Sequence, residues 1–223
     1  MSRRRSRVSE KVYSYLVSTF GDKEAKSIPL RYRKVGLLGY GAINSKVHKF
    51  LSGFNVDFSV LKRTWEEKEL DCPTEIKRYI PTQLHQFLEY IDTLIIAVPQ
   101  TSDTVGLIGQ RELRLLGPEG LLVNVSRGIV VDEQSLYESL KNGIIAGAAI
   151  DVWYEYRPEP DDDGKKYPYS FPFYELENII LSPHRAASPF DDLERWDEVI
   201  ENIKRYVAGR TDFLNIIDLE RSY

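Results

Sequence analysis

The stretch GLLGYGAIN (36–44) decides the fold of this 223-residue chain. It continues an apolar run that predicts a buried strand over 34–38, and it leads into a segment with helical spacing. Its pattern is G-x-G-x-x-N, in which Gly39 permits a tight turn and Gly41 lets a ligand approach the backbone. Because the N-terminus of the following helix favours an anion, the turn predicts a cradle for the pyrophosphate of a dinucleotide. Asn44 stands where a small residue is usual, which leaves room for a looser or altered cradle.

The rest of the chain alternates between apolar runs and amphipathic segments. We predict further strands over 56–61, 79–80, 92–98, 120–125, 145–152 and 178–181, and helices over 8–20, 43–51, 82–90, 132–142 and 191–207. Strand and helix in alternation predict an α/β fold with a Rossmann-like, doubly wound parallel sheet. Ligands bind such sheets at the carboxyl ends of the strands. The motifs NVSRGIVVDE (124–133), AAIDVW (148–153) and SPHRAAS (182–188) all follow predicted strands, so one site can gather them.

Composition excludes several classes of function. There are 30 Lys and Arg against 34 Asp and Glu, so the net charge is −4 and no basic field favours nucleic acid. The single cysteine, Cys72, excludes an intrachain disulfide and a zinc site built from cysteines, and we predict no metal. The N-terminus has no apolar signal core, and no run approaches the length of a membrane span. We therefore expect a cytoplasmic protein that binds neither membrane nor nucleic acid.

The end of the second predicted strand bears on the choice of cofactor. An acidic residue there would bind the ribose 2′-hydroxyl of NAD, but the chain has Lys62 and Arg63. Asp57 follows the glycine turn at about the required spacing of twenty residues, yet it falls within the strand. Two cations suit a 2′-phosphate through charge-assisted hydrogen bonds, and a solvated strand end is the alternative interpretation. The predicted cofactor is NADP or NAD, with a lean to NADP.

Two side chains have the chemistry of hydride transfer to a keto acid. Arg127 follows the strand 120–125, and its guanidinium can grip a carboxylate and a neighbouring carbonyl. His184 can donate a proton to a carbonyl oxygen, or remove it in reverse, because histidine titrates near neutrality. Taken alone, such an arginine is usually a surface charge and such a histidine a structural hydrogen-bonding group. A carboxylate beside His184 would fix its tautomer, and Glu155 and Glu159 are both candidates.

At this point the residues match a family. The glycine turn, VPQTSDTVGLI (98–108), NVSRGIVVDE, GAAIDVW and SPHRAAS resemble, as an ordered set, the D-isomer-specific 2-hydroxyacid dehydrogenases. The resemblance runs from about residue 8 to residue 217. It implies an NAD(P)-dependent oxidoreductase that transfers a hydride between nicotinamide and a 2-keto or 2-hydroxy acid. It also implies three parts: an N-terminal crossover helix and link (1–30), a dinucleotide-binding domain (31–190), and a C-terminal crossover helix and tail (191–223).

The resemblance assigns roles to individual residues. Arg127 corresponds to the substrate-binding arginine and His184 to the acid/base. Lys62, next to Arg63, falls where NAD-using members place their aspartate, which strengthens the lean to NADP. The remaining positions implied to contact the cofactor are Gly39, Gly41, Ala42 and Ile43 at the pyrophosphate, Val98 and Pro99 at the adenosine, and Val125, Ser126 and Asp151 at the nicotinamide, with Asp151 holding the carboxamide.

Three departures from the family pattern concern function. Asn44 replaces the last glycine of the turn. Tyr156 occupies the position of the catalytic glutamate, so we assign Glu155, one residue earlier, as the partner of His184. The chain is also expected to lack the N-terminal half of the substrate domain. The expected partners are therefore a small 2-keto or 2-hydroxy acid, a separately encoded substrate domain and, as in the family, a second copy in a homodimer.

Two functional hypotheses remain open at this point. The first is a 2-hydroxyacid dehydrogenase with a truncated substrate domain, which the presence of both Arg127 and His184 favours. The second is a non-catalytic paralogue that binds a dinucleotide and dimerises, which Asn44, Tyr156 and the missing half-domain favour.

Overall fold

The computed structural model describes residues 28–65, 72–186 and 196–216. In these ranges the strands are β1 Lys34–Leu38, β2 Asp57–Leu61, β3 Ile76–Tyr79, β4 Thr93–Ile96, β5 Leu121–Asn124, β6 Gly147–Ile150 and β7 Ile179–Leu181. The α-helices are α1 Ala42–Leu51, α2 Leu84–Tyr90, α3 Gln110–Leu116, α4 Glu133–Lys141 and α5 Asp197–Val207. Single 3₁₀ turns lie at Leu30–Tyr32, Ser52–Phe54, Pro81–Gln83, Gly128–Val130 and Phe173–Glu175.

The seven strands form one parallel sheet in the order β3-β2-β1-β4-β5-β6-β7. At the carboxyl end of β1, Leu38 is paired with Leu61 on one side and with Ile96 on the other. The order reverses at β1, because β2 and β3 lie to one side of it and β4 to β7 to the other. The crevice at such a switch point is where doubly wound sheets bind ligands, and GLLGYGAIN lies there. The predicted Rossmann-like fold is confirmed.

The core lies on both faces of the sheet, because neighbouring residues of a strand point to opposite faces. Leu37 belongs to the cluster on one face, with Phe58, Val60 and Ile95. Leu38 belongs to the larger cluster on the other face, where side chains from α2, α3 and α4 cover the strands. Strands buried on both faces read as continuous apolar runs, which is why β1, β2 and β4 could be predicted from the sequence.

Several predicted elements are refined by the structure. Helix α3 was not predicted, because only two of its seven residues, Leu113 and Leu116, are buried, too few to establish a helical period. Strand β3 begins three residues earlier than predicted, since its mixed sequence IKRY is largely exposed. Helix α5 confirms the predicted helix over 197–207. The predicted helix over 8–20 and the first residues of the one over 191–207 lie outside the described residues.

The described ranges contain no helix that combines the length and the hydrophobicity needed to cross a bilayer.

Candidate functional site

The glycine turn is shaped by close packing on one side and open space on the other. Gly39 has a φ of +81°, and a Cβ added there would lie 2.6 Å from the Ala97 carbonyl oxygen. Its N–H donates to the Leu61 carbonyl, which ties the turn to the end of β2. Gly41 is the N-cap residue of α1, and an added Cβ there would meet nothing within 4 Å. The open side of Gly41 is therefore the side from which a ligand can reach the backbone.

The residues after the turn and after β4 lie on this same rim of the sheet. Ala42 and Ile43 begin α1 and are exposed, Ile43 by 51%. Val98 lies beside the turn, with its Cγ1 atom 2.9 Å from the position of a Cβ at Gly39. Pro99 follows, and its carbonyl accepts the Thr104 hydroxyl at 2.7 Å. The structure thus brings together the predicted pyrophosphate and adenosine positions.

The looser turn expected from Asn44 is not what the structure shows. Asn44 is fully buried, and its Nδ2 atom lies 2.7 Å from the Gly39 carbonyl oxygen and 3.2 Å from that of Leu38. The asparagine therefore bonds the turn to its own helix. The reason is that the amide fills the space between α1 and the ends of β1 and β4.

A cluster of cations surrounds one indole at the end of β2. The Lys62 Nζ atom lies 4.6 Å from the centroid of the Trp65 ring, and the Arg78 guanidinium carbon lies 5.0 Å from it. The Trp65 indole N–H donates to the Tyr79 carbonyl at 3.0 Å, which fixes the ring over β3. Arg63 forms an ion pair with Asp103, with 3.6 Å between the charged atoms. This arrangement concentrates positive charge beside the turn.

Sequence reasoning missed Trp65 and Arg78, because only the parallel pairing of β2 with β3 brings Arg78 next to the residues that follow β2. Asp57, the alternative acidic residue, lies within β2, as its first residue and not at its carboxyl end. It accepts a hydrogen bond from the Tyr90 hydroxyl and lies 3.6 Å from the Lys77 ammonium. Asp57 is therefore at the amino end of the strand, away from the turn.

The Arg127 loop is held by a buried asparagine at the end of β5. The Asn124 Oδ1 atom accepts the N–H and the hydroxyl of Ser126, each at 3.1 Å, and its Nδ2 donates to the Arg127 carbonyl at 3.0 Å. Val125, between them, is partly buried. Arg127 itself is exposed, with one guanidinium nitrogen 2.7 Å from the Ser126 carbonyl. Asn124 was missed as a site residue, although a polar residue that ends a buried strand was a signal.

The Arg127 loop, the DVW motif and the histidine loop are joined by direct contacts. Gly128 has no room for a side chain, because a Cβ there would lie 2.4 Å from the Trp153 carbonyl oxygen. On the other side of the motif, the Trp153 indole N–H donates to the Ser182 carbonyl at 2.9 Å. Trp153 is therefore the link between the loop of Arg127 and the loop of His184.

Asp151 fastens the histidine loop to the end of β6. It is buried, and its carboxylate accepts the N–H groups of Arg185 and Ala186 at 2.7 and 2.9 Å and the hydroxyl of Ser182. Burial by itself would raise the pKa of Asp151, but these hydrogen bonds outweigh it and hold that pKa below its usual range. His184 is exposed on this loop with a φ of +57°, a left-handed conformation for a residue other than glycine.

The structure places Tyr156, and not Glu155, against His184. The two rings are edge to face, with centroids 5.5 Å apart. The Tyr156 hydroxyl also accepts a hydrogen bond from the backbone N–H of Trp153 at 3.3 Å. The Glu155 carboxylate instead accepts the backbone N–H of Arg157 at 2.7 Å, so its hydrogen bond is made within its own loop. Within the described ranges no side-chain carboxylate is hydrogen-bonded to the imidazole of His184.

The fold and its strand-end loops define a dinucleotide-binding unit of the Rossmann class, which also carries an exposed arginine and an exposed histidine on linked loops. The chain belongs to the D-isomer specific 2-hydroxyacid dehydrogenase family: residues 2–186 match the NAD binding domain of that family.

Relatives and solved structures agree with this assignment. A glyoxylate reductase of Korarchaeum cryptofilum (strain OPF8) is 36% identical over 181 residues, which are 79% of this chain and 50% of that protein. A glyoxylate reductase of Pyrococcus furiosus is 33% identical over 171 residues, covering 75% of this chain and 46% of that protein. The chain thus spans about half the length of the curated relatives it matches.

Among solved structures, a D-isomer specific 2-hydroxyacid dehydrogenase of Xanthobacter autotrophicus Py2, in complex with NADPH and MES, superposes with a TM-score of 0.76 at 26% identity. The match covers 97% of this chain and 84% of that one. An NADPH-dependent glyoxylate/hydroxypyruvate reductase of Sinorhizobium meliloti, in complex with NADP and malonate, gives a TM-score of 0.64 at 31% identity and covers 91% and 60%.

Proposed function

We propose that the chain is the coenzyme-binding part of an NADPH-dependent 2-hydroxyacid dehydrogenase that reduces a small 2-keto acid such as glyoxylate. The observation that supports this most strongly is the direct linkage of the Arg127 loop to the His184 loop through Trp153. The names of the relatives, glyoxylate reductase and glyoxylate/hydroxypyruvate reductase, support the substrate class. Because the chain spans about half of the curated relatives, we infer that the substrate is also contacted by a further domain.

The residues of the turn fit a dinucleotide. The open side of Gly41 admits a pyrophosphate to the N-terminus of α1, where the N–H groups of Ala42 and Ile43 have no acceptor within the helix. Lys62 and Arg78 on Trp65 offer two cations for a 2′-phosphate, with Arg63 beside them. On this proposal Val98 and Pro99 line the adenosine, and Val125, Ser126 and Asp151 lie at the nicotinamide. The bound coenzyme supplies the hydride.

The chain's own residues supply binding and proton transfer. The exposed guanidinium of Arg127 binds the substrate carboxylate in forked geometry and polarises the adjacent carbonyl. His184 donates the proton that the carbonyl oxygen gains, and it removes that proton in the reverse direction. Asp151 holds the loop that presents His184 and so acts as a positioning residue.

One observation favours a second candidate function. Tyr156 packs against His184 where the family has a carboxylate, so no carboxylate among the described side chains is hydrogen-bonded to the imidazole. A non-catalytic paralogue that binds NADPH and dimerises would tolerate this arrangement. Turnover, and not binding, distinguishes the two functions.

The coenzyme proposal is tested by titration calorimetry of the chain with NADPH and with NADH. We expect NADPH to bind more tightly. Lys62→Ser should weaken NADPH by about tenfold, the value of one partly exposed charge-assisted hydrogen bond, and should leave NADH unchanged. Lys141→Ser, on α4, makes the same charge change away from the turn and serves as the matched control. Equal affinity of the wild-type chain for both nucleotides would contradict the preference for NADPH.

The catalytic proposal is tested by NADPH oxidation in the presence of glyoxylate or hydroxypyruvate. Arg127→Ala should abolish turnover and leave NADPH affinity nearly unchanged, because the residue is exposed and, among the described residues, its guanidinium bonds only the neighbouring Ser126 carbonyl. An equal loss of both properties would contradict the role of Arg127. A wild-type chain that binds NADPH but turns over neither acid would instead support the paralogue.

Three further expectations stay predictions. The homodimer is tested by analytical ultracentrifugation and the cytoplasmic location by cell fractionation. The division at residues 30 and 190 is tested by limited proteolysis of the chain.

A further inference from the structure

Asn44 has an unusual position for a polar side chain. It lies in the first turn of α1, is fully buried, and occupies the place where the fingerprint needs a small residue. Its Nδ2 atom is within reach of three carbonyl oxygens: Gly39 at 2.7 Å, Leu38 at 3.2 Å and Ile95 at 3.4 Å. One amide group therefore connects the turn, the end of β1 and the end of β4.

This contact fixes the orientation of one peptide group in the turn. All peptide bonds of the described chain are trans, and in a trans peptide the carbonyl and the following N–H point in opposite directions. The Gly39 carbonyl points inward to Asn44. The N–H of Tyr40 must then point outward, to the side of the turn away from the core. Without the inward donor, the same carbonyl has no reason to stay buried, and the peptide is free to rotate.

The oxygen of the Asn44 side-chain amide indicates that packing alone does not explain why an asparagine occupies this position. The Oδ1 atom of Asn44 is buried and has no hydrogen-bond partner among the described residues. Burying an oxygen without a partner is unfavourable, and glycine or alanine at this position would avoid it. The benefit of Asn44 must therefore come from its donor group, which acts on the turn.

We propose that Asn44 is a positioning residue of the dinucleotide cradle, which locks the Gly39–Tyr40 peptide so that the N–H groups of the turn face the pyrophosphate. This inference rests on the proposed function, since it assumes that the turn holds NADPH. The sequence led us to expect that Asn44 loosens the turn. We infer the opposite: where the family has a third glycine, the Asn44 side chain holds the turn by hydrogen bonds.

The test compares two ligands that share the adenosine 2′-phosphate end, of which only NADPH carries the pyrophosphate and the nicotinamide half. NADPH and adenosine 2′-monophosphate are each titrated calorimetrically into the full chain and its variants. Asn44→Ala should weaken NADPH by about tenfold and leave adenosine 2′-monophosphate within twofold, because only NADPH uses the turn. Asn44→Gly, which restores the usual fingerprint residue, should show the same split and covers the case in which alanine does not fold. Ser139→Ala, on α4, removes another fully buried oxygen without a partner and should change neither affinity.

The outcomes separate this inference from the proposed function. If the wild-type chain binds NADPH and a folded Asn44 variant binds it equally well, the positioning role is wrong and the proposed function stands. If both ligands weaken by the same factor, Asn44 has only a structural role and the inference is also wrong. If the wild-type chain binds neither ligand, the proposed function fails and this inference with it.

Discussion

Replacing Gly128 with alanine tests the linkage between the Arg127 loop and the DVW motif. The added Cβ would lie 2.4 Å from the carbonyl oxygen and 2.5 Å from the carbonyl carbon of Trp153, whereas ordinary contact begins at 3.4 Å. Both atoms belong to the backbone, so no side-chain rotation relieves the clash. The loop or the motif must therefore move by about 1 Å, and overpacking of this kind costs about 1–3 kcal/mol of the free energy of unfolding.

The displacement also has a predicted effect on function. A shift of about 1 Å in a substrate-binding group can lower turnover by about 100-fold. NADPH affinity should change less than turnover, since the positions proposed for the pyrophosphate and the 2′-phosphate lie at the ends of β1 and β2, away from the clash. Urea unfolding measures the stability loss, calorimetry the NADPH affinity, and NADPH oxidation with glyoxylate the turnover. Gly53→Ala is the matched control, because its Cβ would meet nothing within 4 Å, and it should stay within about 0.5 kcal/mol of wild type. A Gly128→Ala chain as stable as that control would refute the reasoning.

Two more predictions concern the histidine loop. The hydrogen bonds that hold the pKa of Asp151 below its usual range stabilise the fold above about pH 4, the unfolded value, and are lost as pH falls through the lower folded value. Asp151→Asn should therefore be less stable than wild type to urea at pH 6, with the difference shrinking towards pH 2; a difference independent of pH would contradict this. Tyr156→Glu places a carboxylate beside His184 and favours the charged imidazole, so the alkaline limb of the turnover profile should move to higher pH. Tyr156→Gln is the neutral control, and identical profiles for the two variants would exclude the effect.

The parts of the fold that could be predicted from the sequence are those with strong local signals. Strands β1, β2 and β4 are buried on both faces, so each reads as a mostly apolar run. Helix α4 carried a start signal in Asp132, whose carboxylate accepts the Ser135 N–H at 2.8 Å. Helix α3 has no comparable signal, because two leucines do not establish a helical period, and their burial depends on packing against the rest of the fold.

The candidate site also has residues that could be predicted from the sequence and residues that could not. Arg127 and His184 could be proposed from residue chemistry and order in the chain, and the structure brings their loops together through Trp153. The pairing of His184 could not be predicted, because Glu155 and Tyr156 are neighbours and only the backbone geometry decides which one faces the imidazole. Arg78 could not be found either, since its proximity to Lys62 depends on strand pairing and on Trp65.

The strand order also explains why binding and catalysis can be perturbed separately. Neighbouring strands are about 4.8 Å apart, so the cations after β2 lie about 24 Å across the sheet from the histidine loop after β7, five strands away. A ligand that reaches towards both regions must be extended along the carboxyl ends of several strands, as a dinucleotide on a doubly wound sheet is. Effects at sites this far apart are expected to add. A double variant Lys62→Ser, Tyr156→Glu should therefore combine the weaker NADPH binding of the first with the shifted pH profile of the second, and a marked departure from additivity would mean that the two regions are energetically coupled.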